Sequence, residues 1–140
     1  MTTWQGVIGL TLVVALAGPA AAQTAAPEDA AQAAAESFLA LVDAGRYPDS
    51  WAEASSVFKG TITADQWAQA VQKARSMFGG FKSRKVTSRK ATTTLPGAPD
   101  GHYVVVTFDS VFERKAAAVE TAVMMLDADG RWRVSGSFIR

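Results

Sequence analysis

His102 is the only histidine of the chain, and cysteine is absent. One imidazole at the mouth of a strand, beside a glycine-containing loop, does not make a zinc site, which needs several nitrogen, sulfur or carboxylate ligands. No metal and no cofactor is therefore expected. Ser110 and the other serines lack the Gly-x-Ser-x-Gly setting of a nucleophile elbow. Gly79-Gly80 follows a helical stretch, so it reads as a helix stop and not as a phosphate-cradling loop. Acid–base chemistry is left to carboxylates, of which Asp109 and Glu120 fall within strands. Trp51, Trp67 and Trp132 fall at inward positions, where aromatic side chains are more often core than ligand cage. With Thr121 as the one inward polar group, Trp51, Trp67, Thr121 and Trp132 are the candidate pocket.

These residues must be positioned by a sheet. Three stretches, 103–109, 118–125 and 131–139, are dense in β-branched and aromatic residues and are separated by short turn-forming links. Along the last, Trp132, Val134, Gly136 and Phe138 alternate with Arg131, Arg133, Ser135 and Ser137, so the even positions face the core. Placing Leu126 opposite Arg131 pairs Met125 with Trp132, Val123 with Val134, Thr121 with Gly136 and Val119 with Phe138. The link at 112–115 then sets Phe108 opposite Val119, Val106 opposite Thr121 and Val104 opposite Val123. In this register Glu120 and Asp109 point away from the core, and a slip of one residue would bury Arg133 and Asp109 at high cost.

The preceding chain supplies helices. Pro27-Glu28-Asp29 opens one, with apolar residues at helical spacing to Val42 and Gly45 as its C-cap. Tyr47 begins a second, shorter helix with Trp51, Ala54, Ser55 and Phe58 on one face. Thr63-Ala64-Asp65-Gln66 is a capping box for a third, ending at Gly79-Gly80. Residues 81–94 are a basic fourth strand suited to a sheet edge, and 95–101 form a loop rich in turn residues. Charge is segregated: Glu28, Asp29, Glu36, Asp43, Asp49 and Glu53, with Arg46 the one base among them, precede a run holding Lys59, Lys73, Arg75, Lys82, Arg84, Lys85, Arg89 and Lys90 with Asp65 the one acid. Such segments face each other or solvent more often than they form a binding surface. The fold class is α+β: three N-terminal helices packed on one face of a four-stranded antiparallel meander, an arrangement similar to nuclear-transport-factor-2-like (NTF2-like) or cystatin-like architecture.

The first residues are of another kind. An apolar run from Val7 to Leu16 is followed by Ala20-Ala21-Ala22, an Ala-x-Ala cleavage pattern, although no Lys or Arg precedes the run. Residues 1–22 read as a secretory signal peptide cut before Gln23, and 23–140 as a single domain. The apolar run is short for a membrane anchor, so no stable membrane insertion is expected after cleavage. The location expected is periplasmic or secreted. No cysteine precedes the cut, which speaks against a lipoprotein, and the domain must hold together without disulfides.

Several motifs resemble a bacterial family of exported domains of unknown function, the one numbered 4019. They are Phe38-Leu39-Ala40-Leu41-Val42-Asp43-Ala44-Gly45-x-Tyr47-x-x-Ser50-Trp51, then Thr92-Thr93-Thr94-Leu95-Pro96-Gly97-Ala98-Pro99-Asp100-Gly101-x-Tyr103, then Phe108-Asp109-Ser110-x-Phe112-Glu113-x-Lys115, Ala118-Val119-Glu120-Thr121 and Trp132-Arg133-Val134-Ser135-Gly136. The resemblance implies export and one small domain; it brings no activity and no catalytic residues.

The function expected is that of an exported, non-enzymatic domain acting by protein–protein contact or small-ligand capture in the cell envelope. The alternative is a small pocket enzyme of NTF2-like type. Net charge is only +1, and the basic strand lacks interleaved stacking aromatics, so nucleic acid is not an expected partner. The register leaves Tyr103, Val105, Ala122, Met124 and Leu126 on the outer sheet face with Arg131 and Arg133 beside them. Tyr103, Val105, Met124 and Arg133 are the candidate interface, for a second copy or another envelope protein.

Overall fold

The structure, a computed structural model, describes residues 26–140. The expected signal peptide, 1–22, and the cut before Gln23 lie outside the described residues.

Helix α1, Pro27–Asp43, starts with proline in its first turn, where the missing N–H costs nothing, and with Glu28 and Asp29 on the positive end of the helix dipole. Its buried face is Ala31, Ala35, Phe38, Leu39 and Val42. Gly45, at φ +73°, donates to the carbonyl of Val42, and Arg46 donates to that of Leu41. That is the double closure of a glycine-terminated helix.

The stretch read as one middle helix is two: α2, Tyr47–Ala52, and α3, Ser56–Thr61. The break has a cause. The Ser55 hydroxyl accepts from Phe58 N–H and starts a new helix, while Ser55 N–H donates to the Val134 carbonyl on the sheet at 2.9 Å. Helix α4, Ala64–Phe78, opens with the expected Thr63–Gln66 capping box and ends at Gly79, φ +77°.

Four strands follow as an antiparallel meander in the order β1-β2-β3-β4. They are β1 Phe81–Thr92, β2 Tyr103–Phe112, β3 Lys115–Leu126 and β4 Trp132–Ile139. The lysine-rich β1 is an edge strand, as expected. The helices lie on one face, and Trp67 fixes their packing. Its ring sits 5.9 Å from that of Phe38 and edge-on to Phe58 at 5.1 Å, and its N–H donates to the buried Ser50 hydroxyl at 2.9 Å.

The register departs from expectation on β3. Phe112 pairs with Lys115 across a two-residue turn, but a bulge between Ser110 and Phe112 moves the following pairs by one. Val104 thus faces Met124, Val106 faces Ala122 and Phe108 faces Glu120. Glu113 and Arg114 lack the positive φ of the turns that match strand twist, and a bulge beside such a turn adds twist. At the other end, Gly130 (φ +80°) closes a tight turn in which Asp127 and Arg131 are bonded, so Leu126 pairs with Trp132 and Met124 with Val134. A second bulge then places Gly136 opposite Val123 and Phe138 opposite Thr121.

The consequences are corrections. Ala118, Glu120, Ala122 and Met124 are the buried side of β3. Val119, Thr121, Val123 and Met125, expected inside, take the outer face. Val104, Val106 and Phe108 are inward as expected, and Val134 is buried with Trp132 packed against the core. Gly136 and Phe138 are not: beyond the bulge they face outward, and Phe138 is 64% exposed. Among the described residues no helix is long and apolar enough to cross a membrane.

Candidate functional site

Four charged side chains from four elements meet beneath α1. Asp43 is the last residue of α1, Arg75 lies in the last turn of α4, Arg84 in β1 and Glu120 in β3. Arg75 contacts Asp43 at 2.8 Å and Glu120 at 3.3 Å. Arg84 contacts Asp43 at 2.9 Å and Glu120 at 2.8 Å, closing the ring. Ser110 of β2 donates to Glu120 Oε1 at 2.6 Å. The guanidinium of Arg84 stacks on Phe81 at 4.3 Å, and that of Arg75 lies 4.7 Å from the Phe112 ring centre. Every side chain in the ring is 13% exposed or less.

Burial alone would pull the Arg84 guanidinium down. The hydrogen bonds and charges of Asp43 and Glu120 outweigh it and hold Arg84 above the ordinary arginine value. Two cations and two anions sum to zero, and no buried side-chain polar atom of the described residues lacks a partner. Each carboxylate is committed to two guanidinium groups, so neither is a free general base in this arrangement. What the ring can do is tie four elements together, since removing one member would strand a buried charge.

Glu120 was expected to point outward, and the bulge in β3 is what turns it in. The charge segregation of the sequence held the missed signal. The acidic and basic segments face each other through Asp43 with Arg75 and Arg84, and through Asp29 with Arg89.

The expected pocket residues do not surround one cavity. Trp67 is core, and its edge borders a narrow groove of about 150 Å³ beside Leu39, Val71 and Phe138. Trp51 packs against the core, donates to the Ile62 carbonyl at 2.9 Å and carries Lys59 Nζ 5.6 Å from its ring centre. Thr121 is on the outer face. Trp132 alone stands at an open site. It lines a cleft of about 620 Å³ at the end of the sheet, together with Glu28, Thr92, His102, Val104 and Leu126. It also lines a cleft of about 320 Å³ beside Phe38, Leu41, Glu53 and Arg131. His102 is exposed at the rim of the larger cleft. Whereas the ring N–H groups of Trp51 and Trp67 are bonded within the fold, that of Trp132 has no partner among the described residues.

The expected interface needs two corrections. Tyr103 is 2% exposed, because residues 93–102 fold over it and its hydroxyl donates to the Pro99 carbonyl at 2.6 Å. Met124 is 1% exposed and in the core. Val105 and Arg133 do lie on the outer face, where Asp129 holds Arg133 at 2.8 Å and raises its pKa. Val105, Val123, Met125 and Phe138 form an apolar strip there, and Lys85 and Lys90 follow on the β1 side.

The sheet up to the last two residues of β4, and the C-terminal part of α1, fall within a match, over residues 34–137, to the family described as "Protein of unknown function (DUF4019)". The chain belongs to that family. The matched span includes Asp43, Arg75, Arg84, Ser110, Glu120 and Trp132; Glu28 lies before it. No curated protein and no solved structure matches the chain.

Proposed function

We propose that this member of the family is an exported, non-enzymatic domain of the cell envelope that captures a small organic ligand in the cleft at the end of the sheet. The observation that carries the reading is Trp132. Its side chain is among the lining of two clefts, and its N–H is unspent where the other two described tryptophans have theirs bonded. A concave, mostly apolar site with a few polar groups is how small-molecule sites are built. A pocket enzyme is disfavoured because the buried carboxylates of the charged ring are engaged with each other's cations.

The test follows the indole N–H signals in nitrogen–proton spectra while indole, benzyl alcohol and choline are added in turn. At least one should move the Trp132 signal and leave those of Trp51 and Trp67 in place. If none moves it at millimolar concentration, the cleft is not a ligand site. Export belongs to the same proposal: periplasmic material should have an intact mass beginning at Gln23, and a mass retaining residues 1–22 would refute it.

A second reading, protein contact through the outer sheet face, is favoured by one observation, the 64% exposure of Phe138 next to Val123 and Val105. The occupant that fits is an acidic envelope protein, since Lys85 and Lys90 border the strip and would repel their counterparts in a second copy. Light scattering decides against it if the protein is a dimer that Val105→Lys/Phe138→Lys returns to monomer; the face then belongs to a second copy.

A further inference from the structure

We propose that the ligand of the end cleft carries an organic ammonium group, which Glu28 and the face of Trp132 receive. The inference rests on the ligand-capture reading above and adds the chemical class.

Glu28 is exceptional among the carboxylates. Four of them are not freely exposed: Glu28, Asp43, Glu120 and Asp127. Asp43 and Glu120 are in the charged ring, and Asp127 accepts from Ser56 and faces Arg133. Glu28 has neither an ion pair nor a hydrogen bond among the described residues. Its carboxylate is thus uncommitted at the border of the cleft and available to a cation that enters it. Its neighbour Asp29 is already paired with Arg89 of β1.

The remaining lining agrees. Among the described residues no Lys or Arg borders the cleft, although the chain carries 14 of them. Trp132 supplies the aromatic face that attracts ammonium groups most strongly when they lie within about 6 Å of the ring. Val104, Leu126 and Pro27 supply apolar surface for the carbon body of such a ligand. The N-terminus of α1 opposes a cation, but with roughly half a unit charge against the full charge of Glu28. The cleft is therefore net negative, and an anionic ligand is disfavoured.

Three probes of one shape separate charge from size: choline, neutral 3,3-dimethylbutan-1-ol and anionic 3,3-dimethylbutanoate. Each is titrated against the purified protein while the Trp132 indole signal is followed, in wild type and in Glu28→Gln. The expected result is choline binding at least about fivefold more tightly than the alcohol, the anion weakest, and the preference lost in Glu28→Gln with unchanged far-ultraviolet circular dichroism. If the alcohol binds as well as choline, or Glu28→Gln keeps the preference, the ammonium assignment is overturned while ligand capture stands. If none of the three moves the Trp132 signal in either protein, the ammonium assignment is overturned, and ligand capture falls too if indole and benzyl alcohol are also silent.

Discussion

Glu120→Gln removes one negative charge from the buried ring and changes little else. The glutamine oxygen can still accept from Ser110 and Arg84, where the carboxylate now does so at 2.6 and 2.9 Å. Its amide NH2 group, however, would meet Arg75, which stands 3.3 Å from Oε2. Two guanidinium groups would then share Asp43 alone, and a net positive charge would remain where side chains are 4–13% exposed. Breaking a buried pair by removing one partner costs about 3–5 kcal/mol, and because these groups are not fully sealed the lower end, about 3 kcal/mol, applies. At roughly 4 °C per kcal/mol for a domain of this size, the melting midpoint should fall by about 12 °C. Urea titration followed by circular dichroism at pH 7 measures the loss, with the slope unchanged if the folded state keeps its compactness. Arg84→Met/Glu120→Gln restores neutrality by leaving Arg75 with Asp43, so the double variant should be more stable than the sum of its single changes by about 1 kcal/mol or more. A loss below about 1 kcal/mol for Glu120→Gln, with no coupling in the double variant, would show that the ring does not hold the four elements together.

Asp127 accepts from the Ser56 hydroxyl and N–H, and these bonds hold its pKa below the ordinary 3.8. A depressed folded pKa contributes stability that is full above the unfolded value and fades as pH falls through the folded one. Asp127→Ala should therefore cost about 1 kcal/mol at pH 7, a gap that narrows in urea titrations below pH 3.8; a pH-independent gap would contradict the assignment. Met124→Lys should cost more than about 3 kcal/mol, since it puts an unpaired charge in the core, whereas Val105→Lys on the outer face should stay within about 1 kcal/mol. Equal melting midpoints for these two would reverse the faces of the sheet. A Cβ on Gly136 would sit 3.3 Å from the ring of Phe138, which is exposed and can swing aside. Gly136→Val should thus cost under about 1 kcal/mol by thermal melting, and a loss of core size would return Gly136 to the interior.

The sequence by itself determined most of the elements that local rules control, although not the split of the middle helix at the Ser55 cap. Proline with two acids started α1, Gly45 ended it, the Thr63–Gln66 box started α4, and β-branched runs between turn residues marked the strands. It also placed β1 at an edge and Val104, Val106 and Phe108 inside, because alternation along one strand needs no knowledge of its neighbours. What only the tertiary structure decided was how β3 and the end of β4 sit against the other strands. Bulges at Ser110/Phe112 and Val123/Met124 have no strong local signature, yet each changes the pairing that follows it. The first turned Glu120, Ala122 and Met124 into the core and Thr121 out of it; the second turned Phe138 out. From Ala118 to Leu126 both faces of β3 are apolar but for one polar residue each, Glu120 on one and Thr121 on the other, so hydrophobicity could not choose the face. The choice rested on whether a buried carboxylate could find partners, and those partners, Arg75 and Arg84, come from segments 45 and 36 residues away. The Trp132 cleft was hidden for the same reason. Its walls are the ends of four strands and the first turn of α1, brought together only when the sheet closes beneath that helix.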